Sequence, residues 1–245
     1  MRFFGDYHVH STYSDGRGTV AEMVEAGQKA GLEEIGFAEH GPRNIGCGIK
    51  SENMLLLLKE EIARVQRIYP AVKLYTAVEA NVISLEGELD VSGKVIKQLD
   101  YLIAGLHPYV LPAQVRELSW VAGNTLSNFL PGQALQRRVA NANTKAFVAA
   151  IYRYAPQLIS HPGLRMPISL EETARACLAR GTWWEINAGH RFPDYEQVSA
   201  LARWGVDFLV NSDAHFPESV GALDYGAWVL EKARVPLSHV KNARS

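Results

Sequence analysis

The chain has 245 residues, is 47% hydrophobic and carries a net charge of −1, with 25 basic against 26 acidic side chains. That length and apolar content suit a large buried core. The even charge balance disfavours a nucleic-acid partner, although two or three local cations could still hold a small anion. Cys47 and Cys177 form no C-x-x-C pair and imply no disulfide framework. No signal-peptide pattern opens the chain, and no apolar run reaches the roughly 18 residues of a membrane span. The expectation is a cytoplasmic protein with no membrane partner, folded as a single domain over residues 1–245.

Short apolar runs alternate with helical stretches. Phe3–Tyr7 is predicted as the first strand. It leads into Asp6-Tyr7-His8-Val9-His10-Ser11-Thr12-Tyr13-Ser14-Asp15-Gly16, which crowds two histidines and two carboxylates together. His8 and His10 are two apart, so on a strand both imidazoles face one side. Thr19 and Glu22 have capping-box spacing and open a helix to about Ala30, where Gly31 can end it. Glu34–Ala38 is the second strand, ending at Glu39-His40. Ser51 or Asn53 can cap a helix through Arg67, closed off by Pro70. Lys73–Val78 is the third strand and ends at Glu79, a short helix runs from Ser92 to Gln98, and Tyr101–Leu106 is the fourth strand, ending at His107.

Residues 108–133 contain Pro108, Pro112, Gly123, Pro131 and Gly132. They read as a long loop with at most one helical turn, lying over the site, with Trp120 and Phe129 covering the site or anchoring the loop. Leu135–Tyr154 is a long helix. Gln157–Ser160 is the fifth strand, ending at His161. Ser169 and Glu172 form a second capping-box pattern for a helix that stops at Gly181. Thr182–Ile186 is the sixth strand, ending at Asn187, with Trp183 and Trp184 as core. Asp194–Trp204 is helical. Phe208–Val210 is the seventh strand, ending at Asn211-Ser212-Asp213-Ala214-His215, and a last helix covers about Tyr225–Ala233.

Strands followed by helices predict a parallel sheet of βαβ units. Each strand ends in a residue able to bind metal or substrate. That favours a barrel, whose site gathers at the carboxyl ends of all its strands, over an open sheet with one switch point. Six of the eight histidines fall at these ends, with Asp15, Glu79 and Asp213 beside them. Any one alone reads as an ordinary hydrogen-bonded residue. Together they would repel or stay unsatisfied without cations among them. Imidazole and carboxylate without thiolate suit Zn, Mn or Fe better than Ca or Mg. Two to three divalent metal ions can be accommodated, and paired metals activate hydroxide for phosphate-ester hydrolysis.

The ordered set His8-x-His10, Ser14-Asp15-Gly16, Glu39-His40, Glu79, His107, His161-Pro162 and Ser212-Asp213-Ala214-His215 resembles the motifs of the PHP (polymerase and histidinol phosphatase) superfamily. The resemblance runs from Asp6 to His215. It implies a distorted (β/α)7 barrel with a trinuclear metal centre at the carboxyl ends of the strands, acting on phosphate esters. By it, His8, His10, Glu79 and Asp213 surround one ion. Glu79 bridges to a second, held also by His107 and His161, and Asp15, His40 and His215 hold the third.

Two positions depart from the family pattern. Ala38-Glu39-His40 stands where Thr-Asp-His is common, so Glu39 either orients an imidazole or caps a turn. Asp15 stands where some relatives carry His. Asp6 is expected to support an imidazole from behind. Arg165 and Arg191 resemble the phosphate-holding arginines of histidinol phosphatases, His190 is a candidate general acid for the leaving alcohol, and Arg43 is a further anion binder. Cys47, Cys177 and His239 read as unreactive or structural.

The leading expectation is a metal-dependent phosphomonoesterase in which a metal-bound hydroxide attacks a small phosphorylated substrate, with histidinol phosphate the candidate. The alternatives are a phosphodiesterase or 3′-end nuclease and a non-catalytic metal-binding regulatory module.

Overall fold

The computed structural model describes residues 1–127 and 132–245. Seven parallel strands pair in chain order: β1 (Gly5–Val9), β2 (Glu34–His40), β3 (Lys73–Asn81), β4 (Tyr101–Gly105), β5 (Leu158–Ile159), β6 (Trp183–Asn187) and β7 (Phe208–Asn211). The ring nearly closes where β1 meets the end of β7. There the His10 amide donates to the Ala214 carbonyl at 2.9 Å, and the Tyr7 amide donates to Asn211 Oδ1 at 3.0 Å. The helices are α1 (Val20–Lys29), α2 (Met54–Ile68), α3 (Gly93–Ile96), α4 (Leu118–Ser127), α5 (Gln133–Tyr154), α6 (Leu170–Arg180), α7 (Tyr195–Arg203) and α8 (Asp224–Lys232). This is the expected (β/α)7 barrel.

Strand alternation decides what each face does. Ile35 and Phe37 of β2 point outward and pack with Met23, Val24 and Leu58 of α1 and α2. On the far side Trp184 and Ile186 of β6 pack with Phe147, Ile151 and Leu230. Among the described residues, the apolar cluster inside the ring is Ala38, Ala77, Ile103, Leu158 and Leu209, with Tyr7, Tyr101 and Trp183 packed against them. The apolar bulk therefore lies between strands and helices, which leaves the strand ends free for polar groups.

Tyr7 packs inside the ring, while Val9, at the same parity, packs outside with α1. The pairing of β1 with β2 shifts register between Asp6 and Val9. That shift lets Tyr7 and His8 differ in depth without forcing alternate faces along the strand.

The capping readings hold at α1, where Thr19 and Glu22 form the reciprocal box. At α6 half of the expected box is present: the Ser169 side chain accepts from the Glu172 amide, without the reciprocal bond. Asp194 and Gln197 form a further box at α7. Two expectations need correction. The first barrel strand is Gly5–Val9, not Phe3–Tyr7, because Arg2–Phe3 instead pairs antiparallel with Ala243–Arg244. The stretch 108–133 holds more than one helical turn, because its described residues include α4. Gly123 lies inside that helix and lowers its intrinsic propensity. Tertiary bonds compensate: Trp120 Nε1 donates to Asn143 Oδ1 at 2.7 Å, and Asn143 Nδ2 donates to Asn124 Oδ1 at 2.8 Å. Trp120 thus anchors α4 on α5, and Phe129 lies outside the described residues. Trp184 is fully buried, whereas Trp183 is only partly so. No helix among the described residues is long and apolar enough to cross a membrane.

Candidate metal centre

Glu79 is the hub of the carboxyl-end rim. It is fully buried, and four imidazoles surround its two oxygens. Oε2 lies 2.6 Å from His40 Nδ1 and 3.5 Å from His8 Nε2. Oε1 lies 2.9 Å from His161 Nε2 and 3.1 Å from His107 Nε2. Asp213 faces it across the rim, 3.1 Å from His10 Nε2 and 3.6 Å from His8 Nε2. Asp15 completes the far edge, 3.3 Å from His215 Nε2 and 3.8 Å from His40 Nε2. All nine residues expected as metal ligands from the sequence thus converge in one cluster.

Three sets of donor atoms each fall within 4.8 Å: His8, His10 and Glu79; His10, Asp15, His40 and His215; and His40, Glu79 and His107. The first joins three of the four residues expected around one ion, without Asp213, and the second joins the expected Asp15, His40 and His215 with His10 added. The third brings His40 to Glu79 and His107 where His161 was expected, although His161 touches the same carboxylate.

Among the described residues, His8 Nε2, His10 Nδ1 and His161 Nδ1 are buried without a hydrogen-bond partner. Leaving such atoms unpaired costs about 1–3 kcal/mol each. The donor chemistry therefore fits divalent cations that accept imidazole and carboxylate.

Charge settles unevenly over the cluster. Burial alone would raise Glu79, but the imidazoles of His107, His8 and His40 outweigh it and hold the carboxyl well below its usual range. Asp213 is likewise held low against its burial by His8 and His10. Burial, with His40 next in weight, pushes His10 down to about 3. Its ring centroid lies only 4.4 Å from that of His40 and 4.3 Å from that of His215. His8, on the same strand, is raised well above its usual value despite burial, chiefly by the Glu185 carboxylate.

Glu185 went unnoticed in the sequence. It is fully buried on β6, with Oε1 2.7 Å from His8 Nδ1 and Oε2 accepting from the His161 amide at 2.7 Å. Holding Nδ1 of His8 directs Nε2 into the cluster. Asn81 does the same for His107, with Oδ1 2.6 Å from its Nδ1. The available signal was parity: Glu185 is two residues before Asn187, so it faces inward.

Glu39 caps a turn and touches no imidazole. Its oxygens accept from the Ser11 amide at 3.0 Å, from Ser11 Oγ at 2.5 Å and from Ser14 Oγ, fastening the loop that carries Asp15. Asp6 also touches no imidazole. It accepts from the Ser212 amide at 3.1 Å and the Gly221 amide at 3.0 Å, pinning the segment around Asp213. His161, Arg165, Arg191 and Asp213 all hold left-handed backbone, a costly conformation that persists where the surroundings over-determine it.

A cavity of about 260 Å³ opens over the cluster, its wall including Cys47, Tyr109, Leu164, Arg165 and His190. Arg165 therefore sits where it was expected. Arg191 does not line this cavity, and its guanidinium lies over the Tyr225 ring, 5.4 Å from the centroid. Arg43 is also outside, donating to the Pro112 carbonyl at 2.7 Å. His190 Nε2 is 3.4 Å from Asp213 Oδ2, and burial lowers its pKa. Burial and the charges of Asp15 and Glu79 push the Cys47 thiol up to about 11, and burial raises Cys177, consistent with unreactive thiols. His239 pairs with Asp207 at 2.9 Å, a structural contact.

A parallel barrel whose strand ends converge on buried imidazoles and carboxylates defines a hydrolase-type α/β barrel. The PHP domain model matches residues 6–180. A probable phosphatase of Thermoanaerobacter sp. strain X514 is 29% identical over 254 residues, covering 99% of this chain and 91% of that protein. The DNA polymerase/3′-5′ exonuclease PolX of Bacillus subtilis is 25% identical over 252 residues, covering 98% of this chain and 39% of that protein. Among solved structures, the histidinol phosphate phosphatase of Lactococcus lactis, complexed with zinc, L-histidinol and phosphate, superposes with a TM-score of 0.65 at 19% identity. That superposition covers 94% of this chain and 93% of that one. The chain belongs to the PHP domain family, and it is an enzyme, a phosphatase of that family.

Proposed function

We propose that this phosphatase hydrolyses a small phosphomonoester, with histidinol phosphate the specific candidate, at a centre of two to three divalent ions. The observation that carries the reading is Glu79, fully buried with both oxygens facing imidazoles, beside ring nitrogens of His8, His10 and His161 that have no partner among the described residues. His8, His10, Glu79 and Asp213 would hold one ion, Glu79, His107 and His161 a second, and Asp15, His40 and His215 a third, with Zn, Mn or Fe matching the donors. When bound, such ions supply an activated water at neutral pH and neutralise charge on the phosphoryl oxygens.

The chain's own residues do the rest. Arg165, on the cavity wall, presents N–H donors to a phosphate arriving there. His190 stands on the same wall beside Asp213, placed to hold a proton at Nε2 for the departing alcohol oxygen. Glu185 and Asn81 fix the rings of His8 and His107, so that the centre needs no reordering when substrate enters.

The test is a panel of phosphomonoesters, histidinol phosphate included, assayed for phosphate release by Mn- or Zn-loaded protein. Release from histidinol phosphate with the highest kcat/KM supports the full reading. No release from any member overturns it. Cleavage of a labelled oligonucleotide instead would favour the phosphodiesterase reading that the PolX relative suggests.

A further inference from the structure

The barrel has a second mouth. At the amino ends of the strands a cavity of about 270 Å³ is lined by Tyr7, Glu34, Tyr75, Tyr101, Trp183 and Lys241, together with Leu158 and Leu209. The interior layer of Ala38, Ala77, Ile103, Leu158 and Leu209 lies along the same inward-facing rows as Glu79 and His40. Tyr75 is four residues before Glu79 on β3, and Glu34 is six before His40 on β2. The cavity is therefore at the opposite end from the metal centre.

α/β barrels usually fill their interiors with bulky branched side chains. Here β2 supplies Gly36 and Ala38, and β3 supplies Ala77. Gly36 is needed: a Cβ there would lie 1.8 Å from the Tyr101 hydroxyl, which crosses the ring to donate to the Tyr7 carbonyl at 2.5 Å.

Three tyrosine rings surround the opening. Their centroids are 5.9 Å apart for Tyr7 and Tyr75, 6.3 Å for Tyr7 and Tyr101, and 6.4 Å for Tyr75 and Tyr101. The last two pairs meet edge to face and the first is tilted, so none of the three is stacked. Glu34 Oε2 accepts from the Tyr7 hydroxyl at 2.5 Å and the Tyr75 hydroxyl at 2.9 Å. Its Oε1 takes no hydrogen bond among the described residues, so the carboxylate is oriented with one oxygen available.

Two lysines flank the opening, and neither forms an ion pair with Glu34 among the described residues. Lys241 is held by Asp207 at 2.8 Å. Lys73 lies 4.7 Å from the Tyr75 ring centre, already using these rings as an ammonium surface.

We propose that this lower mouth binds a small organic cation. Its ammonium group would sit against Glu34 and the tyrosine rings, and its apolar body against Leu158 and Leu209. The chemistry is that of an aromatic cage with a carboxylate counter-charge. The volume is just below the roughly 300–1,000 Å³ of small-molecule sites, which restricts it to a small ligand.

The probe is benzyltrimethylammonium, titrated calorimetrically into the metal-loaded full chain with inorganic phosphate saturating the upper cavity. One-to-one binding is expected, with methyl-to-tyrosine nuclear Overhauser contacts. Glu34→Gln should weaken it about tenfold, the loss of one charge-assisted contact. Leu209→Phe should fill the cavity and abolish binding. If that variant does not fold, the Overhauser contacts in the wild-type protein locate the probe equally well. Absence of binding at millimolar probe would overturn the proposal. So would equal affinity for neutral benzyl alcohol, unchanged affinity in Glu34→Gln, or Overhauser contacts confined to the histidine rim.

Discussion

Two buried or half-buried carboxylates mark the two ends of this barrel, and their partners differ in kind. Glu79 at the carboxyl ends is surrounded by four imidazoles, among ring nitrogens that are buried without a partner. Glu34 at the amino ends is held by two tyrosine hydroxyls, in a wall of aromatic rings that also bond to backbone. The same strands carry both. One end stores unmet polar demand that divalent ions would relieve. The other orients a single carboxylate with two tyrosine hydroxyls, keeps the ring in shape and leaves space beside that one charge. Alternation along a strand therefore fixes which side chains face inward, and depth along it decides their chemistry.

The strongest way to break this comparison is Glu79→Ala. It should drop bound metal, by elemental analysis of folded protein, and take phosphate-ester hydrolysis to background. Retained hydrolysis with full metal would remove Glu79 as the hub. Glu185→Ala comes next. Losing the group that orients His8 should weaken metal binding or activity by about 10–100-fold, read by competition with a metal-sensitive dye. An unchanged affinity would mean that ring orientation is set elsewhere. The arginines give a smaller effect. Arg165→Ala should raise KM about tenfold through a lost phosphate contact, while Arg191→Ala should stay within about twofold because Arg191 packs on Tyr225. Equal effects would show that the turn carrying Arg191 moves to meet substrate. The smallest concerns the lower end. Gly36→Ala should cost about 1–3 kcal/mol in urea unfolding through overpacking against Tyr101, with metal content intact.

The upper end was the more legible in the sequence because its chemistry is concentrated in residue types that are rare elsewhere. His8, His10, His40, His107, His161 and His215 announce a centre by position at strand ends, and the resemblance supplied the partition among ions. What supports them was harder to read. Glu185 sits within a run that otherwise looks like core, Trp183-Trp184-Glu185-Ile186, and only the geometry shows its carboxylate under His8. Glu39 and Asp6 were legible as carboxylates near the site. Their partners, Ser11 and Ser14 in one case and Ser212 and Gly221 in the other, depend on loop paths that strand periodicity does not encode. Helix α4 was missed because Pro108, Pro112 and Gly123 signal loop locally, while the bonds that steady it come from Asn143 on α5. Arg191 was misplaced for a similar reason: a residue in a left-handed turn can face either wall, and Tyr225 decides which.

The antiparallel pairing of Arg2–Phe3 with Ala243–Arg244 has an architectural consequence. Glu33 takes a hydrogen bond from both Arg2 and Arg244, so both ends of the described chain are tied to one carboxylate. Ends that meet in this way can be joined by a short linker and the chain reopened in a surface turn, giving a circular permutant. The permutant should keep its strand order around the ring, because β1 is held to β7 through Ala214 and Asn211 rather than by chain connectivity.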